Sequence, residues 1–213
     1  MDFSAAFDRV NHDALVLKLG GLGIGGPVLS IITQYLKDRK HRVCVDGKCS
    51  EWHDVASGVP QGSVLGPLLF TVYTSDLLQI TNHPVFAYAD DVTIVATVDD
   101  LSQRSSVNQS LNVDLRRISD WCSSWNMTLN AKKSKCLRVS RSRISDLHLG
   151  ELLVENIPIK ECTELDILGV KFDSKLTFEK HVRRIASSAS QKLGLIRKAN
   201  QVFKDGSISA TCL

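Results

Sequence analysis

Apolar residues recur along this chain with two alternating periods, and the switches between them mark out its elements. Over residues 13–19, Leu15, Val16 and Leu19 share one helical face, and over 27–37 so do Val28, Ile31, Ile32 and Leu36, with Pro27 in a first-turn position. Glycines 20, 21, 23, 25 and 26 separate the two and read as a helix–helix turn, because they lack the Lys-Ser/Thr of a phosphate-cradling loop and follow no strand. Segments 41–45 and 52–57 read as a hairpin turning at Asp46-Gly47. A helix is expected over 63–78, and 85–89 with 92–97 form a second hairpin joined by Asp90-Asp91. The long helix at 102–125 has Val107, Leu111, Leu115, Ile118 and Trp121-Cys122 on its apolar side. Short strands are expected within 127–143, 147–157 and 165–171, before a basic amphipathic helix over 178–203. This order predicts an α+β fold, an antiparallel sheet with helices on one face.

Composition narrows the class. The 213 residues suffice for one domain, or one plus part of a second, and 43% apolar with 23% charged residues is ordinary for a globular chain. No run of 18 apolar residues and no basic-then-apolar start occurs, so neither a membrane span nor a secretory signal is expected. Cysteines 44, 49, 122, 136, 162 and 212 form no C-x-x-C pair and match no suitably spaced histidine. They are expected to be reduced thiols of an intracellular protein, with no zinc site. The net charge of +3 divides unevenly: residues 1–130 hold 10 Lys/Arg against 14 Asp/Glu, residues 131–213 hold 16 against 9. An acidic first part and a basic last part suit a site with metal ions on one side and a polyanion on the other.

The chemistry is concentrated at Phe86-Ala87-Tyr88-Ala89-Asp90-Asp91-Val92-Thr93-Ile94. Aspartates in a turn can serve local backbone hydrogen bonds alone. Here the flanking strands are nearly all apolar, so they are expected to be buried on both sides and to deliver two negative charges to one spot. Such charges repel unless a cation neutralises them. Hard oxygen ligands favour Mg²⁺, which takes one or two carboxylates plus substrate phosphates. Two such ions can activate a 3′-hydroxyl and stabilise a leaving pyrophosphate. A third carboxylate is then needed from a neighbouring strand, and Asp2 and Asp8 compete for that place.

The same residues carry a family resemblance. Tyr88-Ala89-Asp90-Asp91 looks like the YxDD motif of reverse transcriptases, and Asp2-Phe3-Ser4-Ala5-Ala6-Phe7-Asp8 with Val10-Asn11-His12 is similar to their motif A in the non-LTR form. Gly58-Val59-Pro60-Gln61-Gly62-Ser63-Val64-Leu65-Gly66-Pro67 resembles motif B, and Leu129-Asn130-Ala131-Lys132-Lys133-Ser134 motif D. Ile167-Leu168-Gly169-Val170, with Asp173, Leu176 and His181 beyond, is similar to motif E and the entry to the thumb. The five motifs occur in the family's order over about residues 1–185.

The resemblance implies an RNA-directed DNA polymerase of a jockey- or CR1-like retrotransposon, with a palm over 1–170 and the start of a thumb over 171–213. It implies Asp2, Asp90 and Asp91 as ligands of two Mg²⁺ ions, with Mn²⁺ a substitute, and leaves Asp8 a structural role. Lys133 would stand near the triphosphate and protonate pyrophosphate. Phe3, Phe7, Gln61, Gly62 and Tyr88 would line the dNTP site, Phe7 also reading as a plain core aromatic. Gly58, Pro60, Gly169, Lys180, Arg183 and Arg184 would contact an RNA template and DNA primer, Gly58 and Pro60 in the loop against the nascent base pair and the three basic residues through the phosphate backbone. The protein would work in the nucleus or cytoplasm without a membrane. The fingers and endonuclease that the family carries upstream have no counterpart before Asp2, so the chain by itself is expected to have little polymerase activity. The alternative is a palm that binds nucleic acid without catalysis.

Overall fold

The computed structural model describes residues 1–140 and 150–204. They fall into two compact units. The first comprises Met1–Lys135 with the described part of Leu147–Lys160; the second comprises the described parts of Cys136–Asp146 and Glu161–Leu213.

The helices of the first unit form where the apolar spacing places them. Asn11 caps α1 (His12–Gly21) by accepting the Ala14 N–H on Oδ1 at 2.9 Å, and Leu15 and Leu19, one turn apart, are buried. α2 (Gly26–Leu36) opens with Pro27 in its first turn and buries Leu36. α3 (Leu65–Thr74) buries Leu69, Phe70 and Tyr73 and runs on into a 3₁₀ turn, Ser75–Gln79. α4 (Arg104–Ser124) turns Leu115, Ile118, Trp121 and Cys122 into the core. Each large side chain so buried contributes about 1.5–3 kcal/mol. Burial also pushes the Cys122 thiol up to about 12, which leaves it inert.

Two charged groups lie inside this core. The Lys18 ammonium, its side chain 10% exposed, is 2.7 Å from Asp76 Oδ1, donates to the Tyr73 carbonyl, and stands 3.7 Å from the ring centre of Trp125 and 5.0 Å from that of Trp121. Burial lowers its pKa, against the opposing pull of Asp76. The Asp114 carboxylate, fully buried, accepts from the N–H groups of Asn82 and His83, from His83 Nδ1 at 2.7 Å and from Arg117 at 3.3 Å. Burial works against its ionisation, but these hydrogen bonds outweigh it and hold the pKa below the usual aspartate value. Asp114 thereby moors the 82–83 loop, which leads into the acidic hairpin, to α4.

The strands are shorter and more separate than one continuous sheet. Among the described residues there are six two-stranded ladders. β1 (Lys40–His41) pairs with β4 (His53–Asp54), β2 (Cys44–Val45) with β3 (Lys48–Cys49), and β5 (Val85–Tyr88) with β6 (Asp91–Ile94). β7 (Lys135–Leu137) pairs with β10 (Lys160–Cys162), β8 (Leu153–Val154) with β9 (Ile157–Pro158), and β11 (Glu164–Ile167) with β12 (Val170–Asp173). The opening segment joins through single bridges, Asp2 to Asp91 and Phe3 to Leu129. It leaves sheet geometry at Ala5 (φ +49) for a 3₁₀ turn, Ala6–Arg9, which limits its pairing to two residues.

Two expectations are corrected here. Cys44 and Cys49 are joined in a disulfide, not reduced, because the two-residue turn at Asp46-Gly47 sets them directly opposite each other on β2 and β3. Cys122, Cys136 and Cys162 are reduced, the Cys162 thiol donating to the Cys136 carbonyl, and Cys212 lies outside the described residues, as do parts of the strands expected over 127–143 and 147–157. The acidic hairpin is also not buried on both sides: Phe86 is 61% and Tyr88 67% exposed, Val92 is buried in the core, and Val85 packs against it half-buried.

In the second unit, β11 and β12 turn at Leu168-Gly169, both at positive φ. Asp173 then accepts N–H bonds from Thr177, Lys175 and Phe178 and the Thr177 hydroxyl, which lowers its pKa to about 2 and shapes the entry to α5 (Glu179–Lys204). No helix among the described residues is long and apolar enough to cross a membrane.

Candidate active site

Three separate segments meet at Asp2. β5 and β6 are joined through Ala89, held at φ +52, and Asp90 at the exposed tip, with Tyr88 and Asp91 as the closing pair. Directly paired antiparallel residues project to the same face, so the single bridge between Asp2 and Asp91 sets the two side chains next to each other on one face. On the other edge, the Asn130 N–H donates to the Asp2 carbonyl at 2.8 Å, and the Asp2 N–H reaches Ser134 Oγ at 3.4 Å. Ser134 is itself fixed by donating to the Asn130 carbonyl. This tight turn brings Lys133 Nζ to 3.8 Å from Asp2 Oδ2.

Asp2 Oδ2 is buried and has no hydrogen-bond partner. A buried carboxylate oxygen left in this state is costly unless positive charge faces it, and the flexible, mostly exposed Lys133 side chain is a weak substitute for a cation at contact distance. Two neighbouring carboxylates, one with a free buried oxygen, are a donor set that fits a hard divalent ion. No group of three or more metal-binding side chains is ready-made among the described residues.

The 57–62 loop is stitched to the 3₁₀ turn that follows Asp2. Ser57 Oγ donates to the Asp8 carbonyl at 2.8 Å, the Gly58 N–H to the Val10 carbonyl at 2.8 Å, and the Val59 N–H to the Phe7 carbonyl at 2.9 Å. The buried His12 ring places Nε2 2.8 Å from the Gly58 carbonyl. Gly58 sits at φ +86, and a Cβ there would lie 2.8 Å from Asp8 Cα. Gly58→Ala is therefore expected to destabilise the chain by about 2–3 kcal/mol. Urea unfolding checks this, and a loss below about 0.5 kcal/mol would show the loop to be free to move.

The other residues singled out in the sequence are distributed as follows. Phe7 is half-buried and stacks on Phe70 with ring centres 4.4 Å apart. Gln61, Gly62 and Tyr88 are exposed, Pro60 is partly so, and Gly58 is buried under Asp8. The Phe3 ring belongs to the core, at 4% exposure, which leaves it no face for a nucleotide. Asp8 does not join the carboxylate pair but accepts from Gln61 Nε2 at 2.9 Å. In the second unit Lys180 is paired with Glu164, Arg183 with Glu179, and Arg184 with Asp166 and the Gly169 carbonyl. Asn130, Ser134 and His12 lay within quoted motifs with no role attached; their structural work is long-range and leaves no mark on local periodicity.

Comparison with known proteins gives this geometry its class. A family model for reverse transcriptase (RNA-dependent DNA polymerase) matches residues 1–172, and the chain belongs to that family. Its relatives are polymerases of non-LTR retrotransposons. It is 32% identical to the probable RNA-directed DNA polymerase from transposon X-element of Drosophila melanogaster, over 91% of this chain and 21% of that protein. It is likewise 32% identical to the RNA-directed DNA polymerase from mobile element jockey of the same fly, over 91% and 21%. The match to the Pol polyprotein of retrotransposable element R2 of Popillia japonica is 30%, over 67% and 21%. The chain spans about a fifth of the length of these curated relatives. The family generally uses divalent metals.

Proposed function

We propose that this chain supplies the palm, and the start of the thumb, of an RNA-directed DNA polymerase that extends a DNA primer on an RNA template with dNTPs. The observation that carries the reading is the antiparallel bridge between Asp2 and Asp91, with Lys133 Nζ 3.8 Å from Asp2. Asp2, Asp90 and Asp91 would hold two Mg²⁺ ions, or Mn²⁺ in their place, which when bound activate the primer 3′-hydroxyl and offset charge on the phosphates. Lys133 holds a proton at Nζ that a leaving pyrophosphate can take. Phe7, braced by Phe70, offers a rigid apolar surface beneath the sugar of an incoming nucleotide. Gln61, Gly62 and Tyr88 are exposed, Gln61 bonded to Asp8, and would meet that nucleotide, while the loop from Gly58 through Pro60 would lie against the nascent pair. Lys180, Arg183, Arg184 and the Leu168-Gly169 turn contact the template–primer duplex, whose phosphates must displace Glu164, Glu179 and Asp166 from the basic side chains.

The test is primer extension on poly(rA)/oligo(dT) with Mg²⁺ by the protein that carries this chain, beside an Asp90→Ala/Asp91→Ala double variant. Extension by the first and its loss in the second is the expected result. Extension that survives in the double variant overturns the site. Duplex binding by both with extension by neither favours a palm that binds without catalysis.

A further inference from the structure

The Gln61–Asp8 bond raises a question that its geometry answers. Both residues are exposed, and their bond spans the 57–62 loop and the turn after Asp2. The loop does not need this bond to stay in place. Four contacts already hold it there: Ser57 on the Asp8 carbonyl, Gly58 on Val10, Val59 on Phe7, and His12 on the Gly58 carbonyl. The close approach of Gly58 to Asp8 Cα adds a steric stop. A single exposed hydrogen bond laid over that framework contributes little to stability.

What the bond does fix is the direction of an amide. Gln61 carries two N–H donors on Nε2 and an acceptor at Oε1, and a free side chain presents either end. An ionised aspartate has only acceptors, so it selects one orientation: Nε2 turned to Asp8, Oε1 turned away from it. We propose that Asp8 is a positioning residue for Gln61, setting it to present Oε1 as an acceptor to a donor group on the incoming nucleotide. The inference rests on the polymerase reading above and assigns to Asp8 a task apart from metal binding. An amide in place of the Asp8 carboxylate removes the selection, because it could accept from Nε2 or donate to Oε1 equally well.

Asp8→Asn is nearly isosteric and tests this directly. Two readouts are needed: nuclear magnetic resonance of the Gln61 side-chain amide in the isotope-labelled chain, and steady-state dNTP kinetics of the protein that carries it. In the native chain one Gln61 Nε2 proton should be shifted and slowed in exchange by its carboxylate partner, and in Asp8→Asn that distinction should disappear. The dNTP KM should rise about twofold, the limit set by an amide split evenly between two orientations, with kcat and melting temperature unchanged. An unaltered Gln61 signal or an unaltered KM overturns the proposal. A joint fall in kcat and melting temperature also overturns it, by showing Asp8 to be a structural prop. If the native protein does not extend primers, the polymerase reading fails on its own, and the resonance experiment still decides whether Asp8 orients Gln61.

Discussion

Asp114→Ala should cost the first unit about 3–5 kcal/mol, the largest stability loss expected from any single change described above. The variant removes one buried carboxylate and strands everything that bonds to it: the N–H groups of Asn82 and His83, the His83 ring and the Arg117 guanidinium. Because the carboxylate has a lowered pKa when folded, its contribution is complete above the unfolded value and fades as pH falls through the folded one. The gap between native and variant proteins should therefore be widest near neutrality and narrow below about pH 4. Urea unfolding at two pH values measures both effects. A loss under about 1 kcal/mol, or a gap that widens with acid, would sink the account. Activity should suffer as well, since the 82–83 loop feeds β5 and hence the position of Asp90 and Asp91.

Asp2→Asn is the second large effect, and its two consequences should run in opposite directions. Primer extension should fall by about a hundredfold to a thousandfold or more, because the charge facing Asp91 and Lys133 is lost. Melting temperature should not fall with it. In the native chain Asp2 Oδ2 is buried without a hydrogen bond, a state that does not favour the folded form, and removing its charge relieves repulsion with Asp91. Lys133 loses an ion pair, but at 3.8 Å and with 70% of its side chain exposed that pair contributes little. A variant that loses activity and unfolds early would show Asp2 to be a structural group.

The sequence exposed the elements of the fold more clearly than their pairing. α1, α2, α4 and α5 lie where apolar spacing placed them, and the helix expected over 63–78 proved to be α3 with its trailing 3₁₀ turn. Strand burial was misjudged at β5 and β6 for a physical reason: a run of apolar residues says that a strand can be covered, not what covers it. The cysteine pairing was equally hidden, since it depends on the register across Asp46-Gly47. Within the candidate site, the acidic turn and the motif order pointed to Asp2, Asp90, Asp91 and Lys133 without giving distances. Asp114 and Lys18 went unnoticed, although each left a trace. Asp114 interrupts the apolar stripe between Leu111, Leu115 and Ile118, and Lys18 lies one turn from Leu15 on a face that is otherwise apolar. A lone charge in such a stripe signals a partner of opposite or complementary charge reaching over it, and His83 and Asp76 are those partners.

The setting of Lys18 gives the molecule an optical property. Of its three tryptophans, Trp121 and Trp125 lie against the one ammonium, whereas Trp52 stands on the exposed hairpin with the Arg42 guanidinium over its ring. A positive charge held near an indole shifts its emission, so separation of α1 from the end of α4 changes the colour of two tryptophans while the third stays constant. The chain's intrinsic fluorescence thus works as a gauge of whether its helical core is closed, with no label attached.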